Sequence, residues 1–276
     1  MARLLYDLLL YGLAVTLYGG GGYLAWRFVG VHLPPVVNVA VSAVLAVLGA
    51  IVAIGVLTLL LPRLKPGRHE FMKSSVFWSW VLRSLLRRAL LLGPMKPLIF
   101  TSNVLRFLAL RALGAKVAFD ADCSSDVDIL DPALFRAGRK SILGARTLIS
   151  GHYVDAGKLV LGEIAVGEGT LLAVDVLVAP DVVIGDRCRI LGRAGIGPGC
   201  RIADRVVLGA ETTLEGGNHV LTGVSVPPGI FVRKRVATID EAVAASLTDT
   251  EQRSARGVAG ATGDDEDEVA GSRALP

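Results

Sequence analysis

From Val166 onward one class of residue returns at every sixth position: Val166, Leu172, Val178, Ile184, Ile190, Ile196, Ile202, Leu208, Leu214, Val220, Val226 and Val232. Four places after these stand small or short residues, among them Thr170, Cys188, Ala194, Cys200, Thr212 and Asn218. Neither an amphipathic helix nor a lone strand produces that spacing, so the stretch reads as an internal repeat. Each hexad predicts a short strand and a turn, with three hexads closing one triangular rung. The aliphatic side chain points into the prism and the small residue fits where the walls converge. Rungs stack at strand spacing, about 4.8 Å, and none buries its apolar face alone. Gly167, Gly185, Gly197 and Gly209 directly follow ladder residues. They are expected to serve tight bends, some of them at positive φ. Pro180, Pro198 and Pro227 or Pro228 are expected at turns, where a missing N–H costs least.

Upstream of residue 115 the pattern changes. Residues 4–28 and 36–61 are each apolar over the roughly 20 residues that cross a bilayer. The short, turn-rich connection from Gly30 to Pro35 makes them a hairpin, which is preferred over a signal peptide because a second span follows at once. The run Gly19 to Gly22 would let another helix approach closely. Next come Arg63, Lys65, Arg68, Lys73, Arg83, Arg87 and Arg88, an excess that marks the cytoplasmic side. Both termini and the repeat are then expected in the cytoplasm, with the chain a multi-pass protein of the cytoplasmic membrane. Residues 76–92 carry Ser79, Arg83 and Arg87 at spacing four on an otherwise apolar helix. This reads as an interfacial helix whose arginines meet lipid phosphate, in preference to a third span. A second helix is expected over roughly 98–112.

Between Leu113 and Ile149 the register is carried by Leu113, Phe119, Leu143 and Ile149, and an irregular coil is expected between Ser125 and Ile142. The resulting division is a transmembrane hairpin at 1–65, juxtamembrane amphipathic helices at 66–112, a β-helix at 113–236 and an acidic tail at 237–276. A short helix is expected from Thr238 to Leu247, and the tail is expected to be mostly disordered.

Composition adds three points. The mean hydropathy of +0.56 exceeds that of an ordinary soluble protein. The net charge of +4 over 276 residues is too unevenly spread to suggest nucleic acid. Cys123, Cys188 and Cys200 fall at or near the small inward positions, so they read as buried hydrophobes rather than disulfide or metal residues.

The hexads Ile184-Gly185-Asp186-Arg187-Cys188-Arg189 and Ile196-Gly197-Pro198-Gly199-Cys200-Arg201 resemble those of hexapeptide-repeat acyltransferases. The closing Val226-Pro227-Pro228-Gly229 is similar to the last coil of that family. The resemblance implies a mainly β fold, a left-handed parallel β-helix, here preceded by the transmembrane hairpin and interfacial helices. It also implies a homotrimer, with each donor site in the groove between neighbouring prisms.

The ladder slips once. From Ile149 to Val160 is one residue short of two hexads, so the chain leaves the coil wall there, and that stretch holds His152, Tyr153 and Asp155. In the family such a coil interruption bears the catalytic histidine, which implies that His152 is the base. Thr147 to Lys158, with Arg111 to Lys116 before it, further resembles the membrane-anchored acyltransferase-like modules of ε-polylysine-synthetase-type peptide synthetases. The implied chemistry moves an acyl group, most simply acetyl, from a CoA or carrier thioester to a hydroxyl or amine. The acceptor would be a small molecule or an envelope precursor. No bound cofactor and no metal are expected. Imidazole suits proton abstraction because its ordinary pKa lies near neutrality. Asp155 or Asp131 could orient the ring or bind the acceptor, and Tyr153 is a further candidate. His219 is expected at a turn too far from His152 for both to bind one zinc ion. The competing function is a non-catalytic, membrane-tethered scaffold or assembly module.

Overall fold

The computed structural model describes residues 2–29 and 33–233. The tail, the helix expected at Thr238–Leu247 and part of the hairpin connection lie outside them. Helix α1 (Ala2–Val15) runs through a π-helical turn at Thr16–Gly20 into α2 (Gly21–Val29), and α3 (Pro35–Leu60) packs against it. Two helical stretches, Leu4–Val29 and Pro35–Leu60, are long and apolar enough to cross a membrane. Their burial is low, at 17% and 33% of the most apolar window, whereas a core helix of a soluble protein would be mostly covered. The glycine run does permit close approach, but within the chain. A Cβ on Gly21 would lie 3.7 Å from Ala46 Cα, so ordinary contact leaves no spare room.

Strand β1 (Gly67–Glu70) and helix α4 (Ser75–Leu90) follow. Ser74 caps α4 by accepting from the Phe77 N–H, which satisfies one of the helix's free amides. The expected single helix over 98–112 is broken in two, α5 (Met95–Thr101) and α6 (Asn103–Ala112). Ser102 divides them because its extended backbone and hydroxyl cap α6 at Leu105 N. The basic stripe of α4 also departs from expectation. Ser79 Oγ donates to Pro62 O, and Arg83 donates to the carbonyls of Thr58, Leu61 and Pro62 at the end of α3. Arg87 pairs with Asp128 at 3.1 Å. These side chains therefore meet protein rather than lipid phosphate: the α3 carbonyls are the negative end of a helix dipole. Arg88 alone of the three arginines stays exposed.

The repeat is a parallel β-helix of six coils whose faces are three six-stranded sheets, and it fits the left-handed form. The first coil comprises β2 (Lys116–Val117), β3 (Asp122–Cys123) and β4 (Asp128–Ile129). The second comprises β5 (Phe135–Ala137), β6 (Ile142–Leu143) and β7 (Leu148–Ile149), entered by a 3-10 turn at Pro132–Leu134. Four further coils run from β10 (Ile164–Val166) to β21 (Phe231–Val232). In-register pairing puts Val166 beside Ile184 and Ile184 beside Ile202, three hexads apart as expected. The hydrophobic core is continuous from Ile51 and Ile54 of α3, through Ile99 and Leu110, into the prism.

The opening coils are more regular than expected and their register differs. The inward positions are Val117, Cys123, Ile129, Ala137, Leu143 and Ile149, all buried, while Phe119 is exposed and Leu113 belongs to the end of α6. Small Cys123 and Ala137 hold ladder positions, and extra residues between Ile129 and Ala137 form the 3-10 turn. The region is therefore a regular coil with one insertion. Arg106 closes its open end. Buried at 6% exposure, it donates to the carbonyls of Phe100, Ala121 and Cys123 and pairs with Asp122.

The glycines after ladder residues are also needed for another reason. Positive φ falls two places later, at Gly169, Asp175, Asp181, Arg187, Arg193, Gly199, Arg205 and Glu211. Gly167, Gly185, Gly197 and Gly209 are instead sites of close approach between rungs. A Cβ on Gly167 would lie 2.3 Å from Gly185 O. The buried threonines at the small position are satisfied by the adjoining coil: Thr147 Oγ1 donates to Ala173 O, Thr170 to Gly185 O and Thr212 to Pro227 O.

Candidate active site

The slip in the ladder is a β-hairpin that leaves the prism wall. Strands β8 (His152–Asp155) and β9 (Lys158–Leu161) pair antiparallel around Ala156-Gly157, both at positive φ, as a type I′ turn requires. Strand β1, just after the second apolar helix, adds to β9 with Gly67 opposite Leu161 and Glu70 opposite Lys158. The hairpin leaves and returns at Gly151 and Gly162, where Gly162 N donates to Gly151 O at 2.9 Å. Gly151 admits the chain because a Cβ there would stand 3.0 Å from Asp131 Cβ and 3.1 Å from a Leu134 methyl.

At the base of the hairpin His152 Nδ1 lies 2.6 Å from Asp131 Oδ2. The same oxygen accepts from Gly151 N at 2.9 Å, and Asp131 Oδ1 accepts from Trp80 Nε1 at 2.8 Å. Asp131 is held in place by its position just before the 3-10 turn of the second coil, and its side chain is 2% exposed. A carboxylate that already receives the Gly151 and Trp80 N–H donors accepts from His152 too, so Nδ1 carries the proton and the Nε2 lone pair is left available. The Trp80 ring stands edge-on to the imidazole with centroids 4.7 Å apart. Above them is a cleft of about 300 Å³ lined by Tyr6, Trp80, Ser84, Arg87, Arg88 and His152, together with Val81 and Leu130.

Of the residues singled out in the sequence, the structure brings Asp131 and His152 together. Asp155 sits at the far end of the hairpin, ion-paired with Arg68, and does not contact the imidazole. Tyr153 is exposed on the hairpin strand beside His152. His219 is an outward-facing strand residue opposite Arg201 rather than a turn residue, because it directly precedes the inward Val220. Trp80 and Tyr6 had no sequence signal that tied them to this place. Among the described residues no group of three His, Cys, Asp or Glu is arranged to hold a metal ion. The three cysteines are buried and free; burial pushes the Cys123 thiol up to about 11 and raises those of Cys188 and Cys200.

Residues 181–216 match the family described as bacterial transferase hexapeptide (six repeats). No curated protein matches the chain. Among solved structures it is similar to a variant of perosamine N-acetyltransferase from Caulobacter crescentus in complex with CoA and GDP-perosamine. That match has 18% identity and a TM-score of 0.31, and covers 47% of this chain and 60% of that one. The acetyltransferase domain of PglB from Neisseria gonorrhoeae matches at 16% identity and TM-score 0.26, covering 49% and 60%. Serine acetyltransferase from Neisseria gonorrhoeae matches at 14% and 0.29, covering 79% and 77%. The alignments span less than two thirds of the perosamine enzyme and of the PglB domain. Similarity at this level says nothing of donor or acceptor.

Proposed function

We propose that this chain is a membrane-anchored acyltransferase that moves an acyl group from a CoA or carrier thioester to a hydroxyl or amine. The observation that carries the reading is the His152–Asp131 pair, set in a cleft at the one place where the chain leaves the coil wall. The match of residues 181–216 to a transferase repeat family supports it. In the proposed step His152 Nε2 takes the acceptor's proton as its oxygen or nitrogen attacks the thioester carbonyl carbon. The C–S bond breaks, and the departing thiolate receives the proton held by the imidazole. Asp131 keeps the ring in the tautomer that can act as base and stabilises the imidazolium that forms.

The hairpin of apolar helices anchors the site to the cytoplasmic membrane, with the β-helix on the basic, cytoplasmic side. Three copies form a ring: outward positions Ile142, Leu177, Val183 and Phe231 are apolar and exposed, which suits side-by-side packing of prisms. His152→Ala is expected to abolish release of CoA from acetyl-CoA in the presence of envelope extract. Unchanged release would remove His152 as the base. A wild-type protein that neither binds nor consumes acetyl-CoA would favour the scaffold reading. Native mass spectrometry in mild detergent is expected to give a trimer, and a fully active monomer would remove the ring from the proposal.

A further inference from the structure

The cleft over His152 contains groups that acyl transfer does not require. One wall is Tyr6, which belongs to the first apolar helix, only two residues inside the stretch that begins at Leu4. The other wall is α4, with Ser84, Arg87 and Arg88. A site bounded by the end of a membrane-crossing helix opens at the level of the lipid headgroups.

Its charge is one-sided. Arg88 is exposed and makes no ion pair among the described residues; its guanidinium lies 5.9 Å from the centre of the Tyr6 ring. Arg87 gives one nitrogen to Asp128, yet its Nε is buried without a hydrogen-bond partner. Two carboxylates beside it, Asp128 and Asp131, are already committed. Asp128 is shared between Arg87 and Lys96, and Asp131 receives three N–H donors. The cleft thus offers the unpaired guanidinium of Arg88 beside the committed one of Arg87, and no carboxylate among its lining residues. Arginine suits phosphate because its planar fork matches the oxygens in pairs. Next to Tyr6, α1 presents exposed Leu5, Leu8 and Leu9, an apolar surface on which a hydrocarbon chain can lie.

We propose that the acceptor is a lipid-anchored phosphate ester. Its phosphate sits at Arg88, its hydrocarbon chain lies along α1, and the group to be acylated reaches His152. The placement of the acylated group rests on the acyl-transfer reading; the phosphate and lipid contacts do not.

Trp80 lines the cleft and becomes the sole reporter once the other two tryptophans, both exposed, are changed in a Trp26→Phe/Trp78→Phe background. The full chain in a neutral detergent is titrated with dioctanoyl phosphatidic acid, dioctanoylglycerol and glycerol 3-phosphate, with Trp80 emission as the readout. A saturable change is expected with phosphatidic acid alone. Arg88→Ala is expected to raise its Kd at least tenfold and Arg88→Lys by less, which separates loss of charge from loss of fold. An equal response to dioctanoylglycerol, or an unchanged Kd in Arg88→Ala, overturns the phosphate contact. Equally tight binding of glycerol 3-phosphate overturns the lipid anchor in favour of a soluble phosphate. Acetyl-CoA consumption is followed on the same preparation with envelope extract added as the source of acceptor. Turnover that depends on His152 without phosphatidic acid binding defeats this inference alone, whereas binding without any turnover defeats the acyl-transfer reading alone.

Discussion

Replacing Asp131 by asparagine asks whether the imidazole needs a carboxylate or only its shape. Both native oxygens accept: Oδ1 from the Trp80 indole at 2.8 Å, Oδ2 from Gly151 N at 2.9 Å and from His152 Nδ1 at 2.6 Å. An amide has one acceptor oxygen and a two-proton donor. With its oxygen towards Gly151, its NH2 faces the indole N–H, donor against donor. Turned over, it faces the Gly151 amide and forces His152 into the other tautomer. At 2% side-chain exposure, water gives no relief. Losing a hydrogen bond to a charged partner in such a place costs about 1.5–3 kcal/mol. If that loss falls on the imidazolium formed in the transition state, the rate drops about ten- to hundredfold. Asp131→Asn is therefore expected to slow His152-dependent release of CoA by at least tenfold, followed with a thiol reagent on the 276-residue chain in detergent with envelope extract added. Trp80→Phe removes the donor that conflicts with the amide. The double variant should then be more stable than the sum of the single effects predicts, with a coupling of about 1–2 kcal/mol in a double-mutant cycle. Wild-type turnover in Asp131→Asn, or strict additivity with Trp80→Phe, would refute the reasoning.

The two kinds of glycine in the coils should separate cleanly in unfolding experiments. In Gly185→Ala the new methyl would stand 2.3 Å from Asp204 Oδ1 and 2.8 Å from Ala203 C, so a loss of about 2–3 kcal/mol is expected. Gly223→Ala meets nothing within 4 Å and carries only the strain of φ +76°, about 1 kcal/mol; the reverse order would disprove the close-approach account. For Cys123, whose thiol burial pushes up to about 11 from an ordinary 9.0, the unfolded chain loses its proton first as pH rises. Its contribution to stability is whole below about pH 9 and fades as pH climbs towards 11, amounting to about 2–3 kcal/mol. Native protein should resist iodoacetamide at Cys123 at pH 8.5 while unfolded protein reacts; rapid native labelling at that site would contradict the burial.

The coils from Val166 to Val232 were legible because each ladder position is filled by a branched or long aliphatic residue, so the period shows through. The opening coils were misregistered because Cys123 and Ala137 occupy ladder positions with small side chains, while exposed Phe119 supplied a false match. The slip near His152 could be read, since the count breaks after Ile149, but Val160 is no ladder residue: it pairs with Tyr153 and Arg68, and the next ladder residue is Val166. The shape of the slip as a hairpin could not be read, because the partner strand that extends it, Gly67–Glu70, carries no alternating pattern. Asp131 stood among several carboxylates. What distinguishes it is the Trp80 indole, contributed from a distant helix, and such pairing leaves no local trace in sequence. The stripe of Ser79, Arg83 and Arg87 was visible, yet spacing alone does not tell a lipid surface from the carbonyls at the end of α3.

Strand β1 has a consequence for the order in which the molecule is made. It is synthesised directly after the second apolar helix, but its one ladder among the described residues is with Lys158–Leu161, which emerges after two complete coils have been translated. Until then Gly67–Glu70 is an edge without a mate, and the hairpin has nothing to dock on. Chains fold as they emerge, with early segments settling first. The apolar helices and the first two coils can therefore form while the histidine is still unplaced. When β9 meets β1, His152 is fixed at a set height from the end of α3. Birth of the site is thus a late closure between an older and a much younger part of the nascent chain, and a ribosome stalled before residue 158 would hold the helices and two coils without a hairpin.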